Sequence, residues 1–93
     1  MHILVLTILF TIDDAYSLKD KRSVVKSVLQ KAQSRFKVSA AEIGYHDILN
    51  RSKLAFALVT SNCTVGRKHL EELFRFIEMT YPIVVTEFDI SEI

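Results

Sequence analysis

The sequence has no tryptophan, one proline (Pro82), one cysteine (Cys63) and only two glycines, Gly44 and Gly66. Each scarcity removes a class of protein. A single cysteine cannot build an intramolecular disulfide framework, and it fits a reducing, cytoplasmic setting. Isolated glycines cannot supply the Gly-x-x-Gly clamp of a KH domain. The three histidines, His2, His46 and His69, fall in three different expected elements and Cys63 stands alone, so no metal and no cofactor are expected. Long apolar runs are also missing. The opening stretch from Met1 to Ile12 is too short to span a bilayer as a helix. It lacks a basic leader and a small-residue cleavage site, and Asp13 and Asp14 follow it, so neither a secretory signal nor a membrane anchor is expected.

What remains is 93 residues, 49% of them apolar, enough for one domain over residues 1–93 with a single core. The first strand is expected over His2 to Thr11, with apolar residues on both sides as in a central strand. A loop covers Ile12 to Tyr16. Ser17 then opens a helix, its hydroxyl placed to accept from the Asp20 amide while Asp20 reaches back. Leu18, Val25, Val28, Leu29, Ala32 and Phe36 recur at helical spacing and predict its buried stripe. A second strand is expected over Lys37 to Ile43, then a chemically varied loop from Gly44 to Ser52, then a third strand over Lys53 to Ser61. Asn62 or Thr64 can cap a second helix that buries Leu70, Leu73, Phe74 and Ile77, with Gly66 permitting close approach and Tyr81-Pro82 ending it. A fourth strand is expected over Ile83 to Ile90.

The order is strand, helix, strand, strand, helix, strand. Each strand–helix–strand unit needs a long crossover and favours parallel neighbours. The expected fold is α/β of the α+β kind: a ferredoxin-like βαββαβ sandwich with a four-stranded mixed sheet, the first and third strands central and two helices on one face. The other face is then open, yet the central strands are apolar on both sides. This predicts a homo-oligomer that covers the open sheet face; the alternative is a scatter of small apolar residues on a solvated surface.

Ser17-Leu18-Lys19-Asp20-Lys21-Arg22-Ser23-Val24-Val25-Lys26, with Phe36-Lys37-Val38-Ser39-Ala40-Ala41-Glu42-Ile43, His46, Asp47 and Val59-Thr60-Ser61-Asn62, resembles the YlxP-like family, the bacterial domain of unknown function 503. The resemblance runs along nearly the entire chain. It departs after the loop aspartate, where family members often carry tryptophan and then Gln-Arg-Ala; here the residues are Ile48-Leu49-Asn50-Arg51-Ser52. The resemblance implies a small ferredoxin-like protein and, because the family's genes commonly lie near translation and ribosome-maturation genes, an RNA-linked role. It brings no catalytic reaction.

Charge is unevenly distributed. Residues 18–37 hold seven basic residues against Asp20 alone, although the whole chain has a formal charge of +1. Residues 71–93 hold six acids against Arg75. Separated signs let a near-neutral protein present a basic surface to a polyanion. Lys19, Lys21, Arg22, Lys26 and Lys37 are therefore candidate nucleic-acid-binding residues, with Lys19, Arg22 and Lys26 on one helix flank beside Gln30 and Gln33. The expected partner is RNA or the ribosome, held mostly through phosphates; the alternative is a solvated flank that maintains solubility. Glu42, His46, Asp47 and Arg51 form a second group, suited to a loop network or an interface. Catalytic residues are not expected. Thr11-Ile12-Asp13-Asp14-Ala15 lacks the glycines and arginine of an acylphosphatase loop, and Glu87 with Asp89 reads as an acidic strand edge that discourages strand addition. A structural or regulatory interaction module without nucleic-acid contact is the other functional reading.

Overall fold

A computed structural model of the chain describes residues 1–13 and 16–93. The first strand, β1 (His2–Ile12), sets the geometry through strict alternation. Leu4, Leu6, Ile8, Phe10 and Ile12 are buried on one side, and Ile3, Val5, Thr7 and Leu9 are half-covered on the other. The helices α1 (Leu18–Phe36) and α2 (Cys63–Thr80) pack onto the first side. The other strands are β2 (Ser39–Gly44), β3 (Arg51–Thr60) and β4 (Ile83–Glu92). The loop expected after β1 includes Asp14 and Ala15, which lie outside the described residues.

The sheet order is β2-β3-β1-β4, the ferredoxin-like arrangement with β1 and β3 in the middle. All three hydrogen-bonded pairings are antiparallel. The crossovers do make β1 parallel to β2 and β3 parallel to β4, but each pair is split by a strand from the other unit. The parallel relation expected of adjacent strands therefore holds only between next-nearest ones. Two register shifts bend the edges, one between Leu9 and Phe10 against β4 and one between Glu42 and Gly44 against β3. At the first, the Thr86 hydroxyl donates to the Leu9 carbonyl oxygen at 3.1 Å.

The helix ends follow local chemistry. Ser17 caps α1 by accepting from the Asp20 amide at 3.2 Å, and the Asp20 carboxylate accepts from the Tyr16 amide rather than from that of Ser17. At the other end Lys37 takes the left-handed conformation (φ 56°), and His69 of α2 bonds the Phe36 carbonyl oxygen through Nε2 at 2.6 Å. Asn62 caps α2 through the Val65 amide, and Tyr81-Pro82 ends it as expected.

The buried stripe of α1 differs from expectation at its start. Leu18 is exposed, Leu29 and Phe36 are partly buried, and the inward positions are Lys21, Val25, Val28 and Ala32. Spacings of four, three and four place these residues on one line along the helix. Lys21 is thus carried inward by helical geometry despite its charge.

Gly66 has a packing reason. A Cβ there would stand 2.6 Å from Thr60 Cγ2 and 2.9 Å from Leu4 Cδ1. Leu4 Cδ1 can rotate away, whereas Thr60 Cγ2 is fixed one bond from its backbone-anchored Cβ. Gly66→Ala gains about 1 kcal/mol of helix propensity and costs about 1–3 kcal/mol through overpacking. The expected outcome is a net loss of stability on the order of 1 kcal/mol in urea unfolding; a variant more stable than the parent would contradict this packing account.

Candidate nucleic-acid interface

The exposed flank of α1 has Lys19, Arg22 and Lys26 at i, i+3 and i+7, all exposed. Lys19 and Lys26 are separated by about 10 Å along the helix axis. Lys31 and Arg35 are exposed on another side of the helix, and Lys37 lies beyond its C-terminus. Among the described residues, no carboxylate lies within 4.0 Å of any of these six cations. Arg35 instead sits over the Phe76 ring, 4.7 Å from its centroid. The flank is therefore basic, solvated and without close counterions among those residues.

Lys21 does not belong to it. The residue is 1% exposed, and its ammonium is engaged inside the protein by two hydrogen bonds and an ion pair. Nζ donates to the carbonyl oxygens of Tyr45 and His46 and lies 3.3 Å from Glu42 Oε2. A phosphate cannot reach it, so the basic flank consists of Lys19, Arg22 and Lys26, with Lys37 apart from them past the helix C-terminus.

The loop group expected from Glu42, His46, Asp47 and Arg51 forms in part, and Lys21 is its centre. Glu42 lies on the helix-facing side of β2, where Oε2 also accepts from the Ser52 hydroxyl at 2.6 Å. Ser52 is fully buried. His46 bonds the Glu42 carbonyl oxygen through Nε2 at 3.2 Å. Arg51 joins indirectly, its guanidinium 5.4 Å from the Tyr45 ring centroid. Asp47 is exposed and makes no side-chain hydrogen bond or ion pair with the described residues. Tyr45 turns the chain with φ 60°, which aims consecutive carbonyls at the lysine. Sequence reasoning missed Lys21 and Ser52; the line of Lys21, Val25, Val28 and Ala32 was the available signal for the first.

The open sheet face holds Ile3, Val5, Thr7 and Leu9 of β1 beside Val59, Ala57, Ala55 and Lys53 of β3. Glu87, Asp89 and Ser91 of β4 flank them on the far side. A shallow depression of about 230 Å³ lies among Thr7, Leu9, Lys53, Glu87, Phe88 and Asp89. At the end of the sheet, His2 Nδ1 is 2.7 Å from Glu92 Oε2, and Cys63 Sγ donates to Glu92 Oε1 at 3.5 Å. These two contacts, the first of them dominant, hold the Glu92 carboxyl below its ordinary range. Spacing along the chain does not reveal this cluster, because its members are 29 or more positions apart.

Lys21→Met keeps the stem and removes the charge, leaving two carbonyls and the Glu42 carboxylate without their shared donor. The variant is expected to lose about 2–4 kcal/mol in urea unfolding. Adding Glu42→Gln should recover part of that loss by removing the uncompensated charge. Unchanged stability of Lys21→Met would show that the ammonium does not hold this corner.

Residues 3–90 match the family model described as Protein of unknown function (DUF503). The chain is similar to the uncharacterized protein YlxP of Bacillus subtilis (strain 168), 42% identical over 65 residues that cover 70% of this chain and 71% of that protein. Its fold is similar to a solved structural-genomics structure, protein YJCS, with a TM-score of 0.64, 10% identity and 98% of each chain covered. That likeness concerns the fold alone. Both the family match and the identity to YlxP extend over most of the chain, and the protein belongs to the DUF503 family.

Proposed function

We propose that the protein is an RNA- or ribosome-associated binding module and that the exposed flank of α1 is its contact surface. The observation that carries this reading is the row Lys19, Arg22 and Lys26, exposed together and without a carboxylate within 4.0 Å among the described residues. Its cations are free to replace the counterions of a phosphate backbone. Arg22 can grip one phosphate with paired donors, while Lys19 and Lys26 act as point charges before and after it. A helix flank offers no apolar slot for a base, so recognition rests on backbone charge and shape rather than on sequence.

A second reading is favoured by the open sheet face, whose central rows are apolar. Its occupant is a second copy of this chain. Arg51 and Lys53 lie on β3, whereas Glu87 and Asp89 lie on β4 at the edge. A two-fold axis parallel to the strands lays each acidic edge over the basic side of the other copy. Such complementarity fixes register and opposes other pairings.

The two surfaces are separately testable. Replacing Lys19, Arg22 and Lys26 together by alanine is expected to weaken binding to a structured RNA and to reduce the log–log salt slope by about two to three units. Lys53→Ala, on the sheet, should leave both unchanged. Equal affinity and equal slope in the triple variant would remove the RNA reading. In sedimentation, the parent chain is expected to run as a dimer and Ala57→Arg, at the centre of the open face, as a monomer. A parent chain that stays monomeric at high concentration rules out the second reading.

A further inference from the structure

We infer that His2, Cys63 and Glu92 form a metal site for a divalent cation of zinc-like softness. Three elements converge there: the first residue of β1, the first residue of α2 and the last residue of β4. The β1–β4 ladder fixes two of them, since Leu4 pairs with Glu92 and the Ile93 amide donates to the Ile3 carbonyl oxygen at 2.9 Å. His2 and Glu92 lie on the helix-facing side of the sheet, toward the start of α2. Imidazole nitrogen, thiol sulfur and carboxylate oxygen all lie within 4.8 Å of one another.

The donor set selects the ion. A nitrogen, a sulfur and an oxygen suit zinc and its first-row neighbours, whereas magnesium and calcium take oxygens. Bond lengths of about 2.0–2.3 Å put the ligand atoms of a tetrahedral site roughly 3.3–3.7 Å apart. The Cys63–Glu92 distance is already 3.5 Å, and the 2.7 Å His2–Glu92 hydrogen bond must open slightly. Glu92 is exposed and His2 half-exposed, whereas Cys63 is half-buried at the margin of the core, so the torsional adjustment of about 1 Å falls on His2 and Glu92.

Charge and protons balance. The Cys63 thiol proton leaves to solvent, the imidazole carries its N–H on Nε2, and Glu92 exchanges two hydrogen bonds for the metal. A thiolate and a carboxylate then neutralise the dication. That neutrality matters because Arg67, anchored to the Ile90 carbonyl oxygen at 3.3 Å, lies nearby. Three protein ligands leave a fourth position for water or an external ligand, as in sites of the open kind.

Cobalt(II) is the probe. The full chain, kept reduced, is expected to take up one Co²⁺ with a sulfur-to-cobalt charge-transfer band and tetrahedral d–d absorption, both lost on addition of zinc. Cys63→Ser should abolish the charge-transfer band. His2→Gln and Glu92→Gln should each weaken zinc binding at least about tenfold, while His46→Gln has no effect. Zinc should raise the melting temperature of the parent and not that of Cys63→Ser; circular dichroism checks that each variant is folded. Absence of the cobalt bands at one equivalent overturns the proposal. So does zinc affinity unchanged in both Cys63→Ser and Glu92→Gln, which would place the ion away from this cluster.

Discussion

A buried ammonium organises one end of this core. Lys21 faces inward because α1 presents positions 21, 25, 28 and 32 to the sheet, and no rotation of the helix hides the valines while freeing the lysine. Burying an unpaired charge would cost several kcal/mol, so the remaining chain must supply acceptors. It supplies three. One is the Glu42 carboxylate, and two are carbonyls that the left-handed turn at Tyr45 aims at the same nitrogen. The shape of the β2–β3 connection therefore follows from one side chain on the opposite layer.

That demand also divides the surface. With Lys21 committed to the interior, α1 keeps its other cations outside, and their separation from acidic groups is a consequence of strand and helix parity rather than of net charge. The same parity in β1 turns Leu4, Leu6, Ile8, Phe10 and Ile12 toward the helices and leaves a second, thinner apolar row outward. The molecule thus presents two unlike faces: a charged helical one and a sheet face that is apolar at the centre, with acids on the β4 edge and Arg51 and Lys53 at one end of β3.

Much of the fold is legible in the sequence because its signals are local. Ser17, Asn62, Gly66 and Pro82 mark caps, a close approach and a stop, and each stands where short-range chemistry places it. The central strands are readable from apolar residues on both faces. The site is less legible. Lys21 reads as a surface cation by residue type, and only its helical angle reveals otherwise. Its acceptors are backbone atoms of a distant loop, which carry no side-chain signature. Asp47 looks like a partner for His46 by adjacency, yet His46 bonds the Glu42 carbonyl oxygen instead. The contact of His2, Cys63 and Glu92 depends on the β1–β4 register and on where α2 begins, and neither follows from spacing along the chain.

β2 is the shortest strand and has a neighbour on one side only, and residues with positive φ, Lys37 and Tyr45, stand just before and just after it. Short edge elements open first in native-state fluctuations. Here, detachment would carry Glu42 and both carbonyls away from Lys21 in one motion and admit water to the ammonium. Fraying of this edge is thereby coupled to hydration of the core, so β2 should come away as a unit rather than residue by residue.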